Sequence, residues 1–216
     1  NPTSYWIPKH SPRVFVEHVD MVSGVGHDRA AAAGPSATRY HRIPEVISRA
    51  FACAMSGRKG PVVVALPEDV LFGLADVADA PPVRVSEAAP DDGALPELAQ
   101  MLQAARHPLV IVGGTGWTEA AQQDLQTFVT RFNLPVAASF RRQDVLDNRD
   151  LHYVGQLGLG VSPALSEGLR QSDLLIVLGS RLSEVTSGGY ALIASPRPVQ
   201  RLVHVHADPM ELGRVY

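Results

Sequence analysis

The sequence is short of the residues that mark extracellular, nucleic-acid-binding and membrane proteins. It has one cysteine, Cys53, so no disulfide can form within the chain. It has two lysines, and its charges nearly balance at a net −3, which leaves no basic surface for nucleic acid. No apolar run of about 18 residues and no signal-peptide pattern is seen. We therefore expect a cytoplasmic protein with no nucleic-acid or membrane partner.

The chain nevertheless has enough apolar sequence to form a core. Hydrophobic residues make up 45% and charged residues 19% of the 216, which is typical of a packed globular protein and excludes an intrinsically disordered one. At about 150 residues per domain, this length predicts one complete domain and part of another. Cys53 falls in a helical pattern of apolar residues, so we expect a small buried side chain rather than a nucleophile.

The first part of the chain, residues 1–72, indicates an incomplete α/β domain. Residues 1–42 show little helical or strand periodicity. From Ile43, apolar residues recur at helical spacing until Ser56-Gly57, and residues 61–67 have the pattern of a buried parallel strand. Ala, Pro, Asp and Gly then dominate residues 73–94, which we interpret as a linker.

Residues 95–216 alternate between helical and strand patterns. Helices are predicted at about 95–105, 118–132 and 162–170, and strands at 109–112, 134–138, 173–178 and 201–206. Strands separated by helices of this length predict a doubly wound parallel sheet with right-handed crossovers. The expected fold class is α/β, with a Rossmann-like domain preceded by the partial α/β domain.

Glycines follow several of these strands, where open α/β sheets bind their ligands. The run Gly113-Gly114-Thr115-Gly116 lacks the third glycine of the dinucleotide motif, because Glu119 stands there, and no acidic residue ends the next strand. A conventional NAD site is therefore disfavoured. A tight turn and a contact to phosphate or flavin remain equally supported. Three further glycines, Gly155, Gly158 and Gly160, precede a helix that Ser162-Pro163 can start.

Two other strand ends carry arginine. Arg141 and Arg142 could clamp a phosphate, although a solvated loop or a domain-interface salt bridge is the favoured interpretation. Gly179-Ser180-Arg181 follows the most hydrophobic strand, and it is the strongest of these candidates for ligand binding.

Two histidines alternate on the last strand and face the same side. No third ligand lies at a suitable spacing from His204 and His206, so a core or interface role is favoured over a metal site. Asp208-Pro209 is the usual beginning of a helix.

Four segments together resemble the thiamine-diphosphate-dependent enzymes of the acetolactate synthase group. They are SGRKGPVVVALPEDV at 56–70, LVIVGG at 109–114, SDLLIVLGSR at 172–181 and HVHAD at 204–208. The first resembles the end of that family's pyrimidine-binding domain, and residues 106–216 resemble most of its central domain. The central domain, 95–216, is expected to be cut short at its C-terminal end.

The resemblance implies thiamine diphosphate, Mg²⁺ and a 2-keto acid substrate for the complete enzyme, a carboligase or decarboxylase. No glutamate here matches the family's catalytic one, and the family's Gly-Asp-Gly motif for Mg²⁺ and diphosphate is absent from this sequence. We therefore expect a fragment that is inactive alone, with no catalytic or metal residue assigned. Its expected partners are a C-terminal diphosphate-binding domain or a second subunit, within a homo-oligomer.

Some members of the family bind FAD in the central domain. Carried over by position, the cofactor-binding residues are Gly113, Gly114, Gly158, Arg181 and Asp208. The family's acidic pair after this arginine is replaced by Ser183-Glu184. Two alternatives stay open, a free-standing nucleotide-binding module and an inactive truncated product.

Overall fold

The computed structural model describes residues 14–15, 41–64, 66, 71, 74–86 and 88–216. The chain divides into two compact units, Asn1–Glu87 and Ala88–Tyr216. The division falls inside the segment 73–94 that the sequence suggests is a linker. No helix among the described residues has the length and apolar character needed to cross a membrane.

The described residues of the first unit include a 13-residue helix and a pair of short strands. Strand β1 (Val14–Phe15) pairs in parallel with β2 (Val62–Val63), and helix α1 spans Ile43–Met55 as predicted. The rest of residues 1–40, and part of the strand expected at 61–67, lie outside the described residues.

Cys53 is exposed, so the expectation that it is buried was wrong. The buried line of α1 runs through Ala50 and Ala54. Successive helical residues are rotated by about 100°, and Cys53 therefore lies beside this line rather than on it.

The second unit is a five-stranded parallel sheet with helices on both faces. Its elements are α2 (Ala94–Ala104), β3 (Pro108–Val112), α3 (Glu119–Phe132), β4 (Val136–Ala138), β5 (Tyr153–Gln156), α4 (Pro163–Gln171), β6 (Leu174–Leu178), β7 (Arg201–Val205) and a 3₁₀ helix (Pro209–Glu211). The strands lie in the order β5-β4-β3-β6-β7, and every pairing is parallel. This confirms the doubly wound α/β fold.

The apolar runs of the central strands supply two cores, one on each face of the sheet. Val110 and Ile176 pack with Val129 of α3, whereas Ile111 and Val177 pack with Leu169 of α4. Successive side chains of a strand point to opposite faces, so a continuous apolar run serves both cores. Each fully buried Val, Ile or Leu contributes about 1.5–3 kcal/mol relative to an exposed one.

Side-chain caps start the helices where the sequence indicates. Ser162 Oγ accepts a hydrogen bond from Leu165 N, and Asp208 caps the 3₁₀ helix by accepting from Met210 N. Thr118 does the same for α3. These three caps all follow strands, so they hold the helix entries at the carboxyl edge of the sheet.

Strand order also locates a crevice. The chain runs from β3 to β4 on one side and later adds β6 on the other side of β3. Connections leaving in opposite directions diverge above the carboxyl ends of β3 and β6, which is where open α/β sheets bind ligands.

Candidate functional site

The crevice between β3 and β6 is closed at its base by two glycine loops that contact each other. Gly113 N donates to Leu178 O at 3.0 Å, which extends the β3–β6 pairing beyond the strands. A Cβ on Gly114, whose φ is +75°, would overlap the carbonyl oxygen of Gly179, and a Cβ on Gly179 would lie 2.6 Å from Gly113 O. Backbone-to-backbone packing therefore requires glycine at both loops.

The side chains around Gly113 leave equally little space. A Cβ there would overlap Ser139 Oγ and lie 3.0 Å from Ser180 Cβ. Both serines are buried. Of the two interpretations of Gly113-Gly114, the tight turn accounts for both glycines without a ligand.

The Trp117 side chain holds the Gly113-Gly114 loop in place, a role that could not be read from the sequence. Its indole Nε1 donates to Gly113 O at 2.7 Å, and its ring packs against the α3-side core. Trp117 Nε1 is also 3.7 Å from the Cβ position of Gly179. The indole thus lies directly beside the crossing of the two loops.

Gly158 is explained by packing as well, but two neighbouring glycines are not. A Cβ on Gly158 would lie 2.8 Å from Phe140 Cδ2. In contrast, Gly116 (φ +90°) and Gly160 (φ +76°) have no atom within 4 Å of their Cβ positions. Each stands two residues before a helix N-cap, Thr118 and Ser162. Open backbone at a helix entry is where a phosphate can approach N–H groups.

The arginines after β4 form local contacts. Arg142 makes a two-pronged salt bridge to Asp144, with Nε–Oδ1 at 2.9 Å and Nη2–Oδ2 at 3.1 Å. These bonds hold the pKa of Asp144 below its ordinary value. Arg141 places its guanidinium carbon 5.0 Å from the centre of the Phe140 ring. Arg142 therefore makes a local salt bridge within its own loop.

Arg181, after β6, faces a carboxylate in a small cleft. Its Nη1 is 3.8 Å from Glu211 Oε1, and Arg214 Nη1 is 3.1 Å from the same oxygen. The Glu211 side chain is 8% exposed. Because Glu211 and Arg214 come from the 3₁₀ helix and the segment after it, only the fold brings them to Arg181.

His204 and His206 each bind backbone atoms. His204 Nε2 is 2.8 Å from Ser180 O, and since a carbonyl only accepts, this nitrogen carries the proton. Burial lowers the pKa of His204, so it stays neutral at pH 7. His206 Nδ1 accepts from Asp208 N at 3.0 Å. No group of three metal-ligating side chains occurs among the described residues.

The five residues assigned to cofactor binding all lie at the carboxyl edge, although not in one cluster. Gly113, Gly114 and Arg181 follow the adjacent strands β3 and β6, and Asp208 follows β7. Gly158 follows β5, three strand positions from β6, which is about 14 Å. An elongated ligand, rather than a compact one, would be needed to reach all five.

Comparison with known proteins agrees with this architecture. Residues 95–216 match the family described as thiamine pyrophosphate enzyme, central domain. The chain is 29% identical over 178 residues to the acetolactate synthase large subunit of Parasynechococcus marenigrum, and 30% identical over 176 residues to an acetolactate synthase of Mycobacterium bovis. It is 26% identical over 173 residues to the acetolactate synthase isozyme 2 large subunit of Escherichia coli.

These matches cover 80% of this chain but only 28%, 28% and 31% of the three relatives, in that order. The chain therefore spans less than a third of their length. The family match extends over more than half of the chain and coincides with the five-stranded unit. The chain belongs to the thiamine pyrophosphate enzymes, and its residues 95–216 form their central domain.

Proposed function

We propose that these residues are part of a thiamine-diphosphate-dependent enzyme that resembles acetolactate synthase and acts on 2-keto acids. The likeness to acetolactate synthases over 80% of the chain supports this proposal. In such an enzyme the thiamine cofactor supplies the electron sink for decarboxylation. No described residue is assigned to that chemistry, because the described residues contain neither a metal-ligand cluster nor a matched catalytic glutamate.

In this proposal the role of residues 95–216 is to build the sheet and to bind a nucleotide, FAD in the first instance, along its carboxyl edge. The observation that carries it is the pair of open glycines, Gly116 and Gly160, at the entries of α3 and α4. These two positions fit a phosphate-bearing ligand better than Gly113, Gly114 and Gly158, whose Cβ positions are filled by the protein itself. Arg181, which is 41% exposed, can reach an anionic group above β6.

The nucleotide proposal is tested by absorbance and by tryptophan fluorescence. The purified chain is scanned from 300 to 550 nm and then titrated with FAD and with ADP. In a Trp6→Phe background, Trp117 is the one remaining tryptophan, and its position beside the crevice makes its emission the reporter. We expect saturable quenching near one nucleotide per chain.

Matched variants decide where the nucleotide binds. Gly116→Ala and Gly160→Ala should weaken binding by about tenfold, because they fill open backbone at the helix entries. Gly189→Ala is the control, since Gly189 also has a positive φ, +69°, and open space but lies in another turn. Equal effects of all three variants, or no nucleotide effect on Trp117, would reject the nucleotide site.

The thiamine proposal is tested separately with the full-length protein. Carbon dioxide release from a 2-keto acid should require both thiamine diphosphate and Mg²⁺. Nucleotide binding without any such release would instead favour the free-standing nucleotide-binding module. Partner subunits and a homo-oligomer belong to the same proposal, and light scattering of the full-length protein tests them.

A further inference from the structure

A second candidate site is a cleft between the residues that follow Gly179, after β6, and residues 211–216. Its volume is about 110 Å³, which is well below the roughly 300–1,000 Å³ of sites for drug-sized ligands. The lining includes Arg181, Tyr190, His204, Arg214 and Tyr216. A cleft of this size holds one small charged group and its water rather than a dinucleotide.

Positive charge dominates the cleft. Arg181 and Arg214 share a single carboxylate, Glu211, so one positive charge of the three groups is left uncompensated. Both arginine side chains also keep much of their surface open, at 41% exposed for Arg181 and 62% for Arg214. A guanidinium has five N–H donors in a planar fork, so donors remain for an oxyanion.

Arg181 is the less satisfied of the two arginines. Its closest approach to Glu211 is 3.8 Å, which is an ion pair but too long for a hydrogen bond. Arg214, at 3.1 Å, makes a hydrogen bond to Glu211. Within the described part of the chain, Arg181 has no side-chain hydrogen bond to a protein group, and an anion between the two arginines would supply one.

Besides Glu211, no acidic side chain of the described residues lines the cleft. His204 is neutral, and its Nε2–H is already donated to Ser180 O. Tyr190 and Tyr216 form an aromatic wall, with ring centroids 6.5 Å apart and planes tilted by 51°. Tyr216 donates its hydroxyl hydrogen to Ile193 O at 3.3 Å, which fixes the position of its ring.

The turn that presents Tyr190 is strained. Tyr190 has φ +62° and follows two glycines, Gly188 and Gly189, with φ +58° and +69°. A bulky side chain in this left-handed region costs about 1–2 kcal/mol, and Ser187 Oγ holds the turn by accepting from Tyr190 N at 3.2 Å. Tyr190 thus lines the cleft from a backbone conformation that is unfavourable for a bulky residue.

We propose that this cleft binds a small oxyanion, a carboxylate or a phosphate, between the guanidinium groups of Arg181 and Arg214. The site shares Arg181 with the proposed nucleotide site, but it needs Arg214 and needs neither Gly116 nor Gly160. Glu211 acts as an internal competitor that keeps the two arginines in place when the anion is absent.

The test is calorimetric titration and thermal unfolding of the 216-residue chain with sodium phosphate and with a short 2-keto acid, at constant ionic strength made up with chloride. We expect saturable binding and a concentration-dependent rise in Tm for at least one probe. Saturation by phosphate alone identifies a phosphate site, and saturation by the keto acid alone identifies a carboxylate site. Absence of saturation with both probes overturns the proposal.

Two arginine variants, one in the cleft and one in a similar ion pair elsewhere in the chain, test the location of the site. Arg214→Gln should weaken anion binding at least tenfold. Arg170→Gln should leave binding unchanged, although Arg170 is likewise paired with a glutamate three residues earlier and is 56% exposed. Equal losses in both variants would show a nonspecific charge effect and overturn the site.

Glu211→Gln gives an independent readout if Arg214→Gln does not fold. Removing the internal carboxylate should tighten anion binding severalfold, because both arginines lose their competitor. Weaker or unchanged binding in a folded Glu211→Gln variant overturns the proposal. Gly116→Ala and Gly160→Ala should leave the anion affinity unchanged, so this proposal and the nucleotide proposal can fail separately.

Discussion

Asp173 is hydrogen-bonded to His107 in both directions. The Asp173 Oδ1 accepts from His107 N at 2.9 Å, and Asp173 N donates to His107 O at 3.1 Å. The other carboxylate oxygen accepts from Arg106 N at 2.7 Å, and the Asp173 carbonyl accepts from Arg201 N at 3.0 Å. One residue thereby fixes the amino ends of β3, β6 and β7, at the edge opposite the candidate sites.

Asp173→Asn should destabilise the chain by about 1–3 kcal/mol at pH 7, since an ionised acceptor of two backbone N–H groups is replaced by an amide. The hydrogen bond donated by Arg106 N, together with the one donated by His107 N, lowers the pKa of the Asp173 carboxyl in the folded chain. A lowered folded-state pKa contributes stability that is complete above the ordinary value and disappears as pH falls through the lowered one.

Urea unfolding of wild type and Asp173→Asn at pH 7 and at about pH 3 measures this effect. The difference between the two proteins should shrink at the lower pH. Asp124→Asn, on the exposed side of α3, is the control and should cost less than about 0.5 kcal/mol. A pH-independent cost at Asp173 would mean that geometry, rather than the carboxylate charge, is responsible.

Gly114→Ala should be among the most damaging single-methyl substitutions in the chain. The new Cβ would overlap Gly179 O, and φ +75° is unfavourable for alanine. A loss of more than about 2 kcal/mol is expected. Gly168→Ala in α4 is the control, because nothing lies within 4 Å of its Cβ position and alanine should stabilise the helix by about 0.5–1 kcal/mol. Chemical denaturation should show that the free energy of unfolding falls in Gly114→Ala and rises in Gly168→Ala. A Gly114→Ala variant as stable as wild type would contradict the loop contact.

The central strands could be predicted from the sequence because each is a continuous apolar run bounded by turn residues. β5 could not, since it is an edge strand that contains Gly155, has partly exposed residues and pairs with β4 through a register shift at Val136/Ala137. Neither a period of two nor an apolar run marks such a segment.

The candidate site could likewise be predicted only in part from the sequence. Sequence motifs identified Gly113 and Gly114 as special, but the reasons lie in distant residues: Ser139 and Ser180 for Gly113, and Gly179 for Gly114. Likewise Arg181 was identified from its place after a strand, whereas its pairing with Glu211 depends on how the chain returns after β7. Contacts between distant segments have no local pattern, and Trp117 was missed for the same reason.

Trp117→Phe should lower stability by about 1–2 kcal/mol, because Gly113 O loses its indole donor while most of the ring packing is kept. Trp6→Phe is measured in parallel to separate the two tryptophans. In the Trp6→Phe variant the remaining emission belongs to Trp117, and it should change on unfolding. An unchanged free energy of unfolding would show that the indole hydrogen bond makes no net contribution.

The two faces of the sheet should respond alike to large-to-small substitutions. Leu125 of α3 is 4% exposed, and Leu169 of α4 is 0% exposed. Each change to alanine should therefore cost about 2–5 kcal/mol. Leu159→Ala is the control: this side chain is 75% exposed and should contribute less than about 0.5 kcal/mol.

The double variant Leu125→Ala/Leu169→Ala tests the two-core arrangement directly. The two leucines pack in different cores, with the sheet between them, and helices and sheets pack about 10 Å apart. Sites this far apart with no shared partners are additive within about 0.5 kcal/mol. Additive costs in urea unfolding are therefore expected. A coupling of more than about 1 kcal/mol would place both side chains in one core, which contradicts a sheet covered independently on its two faces.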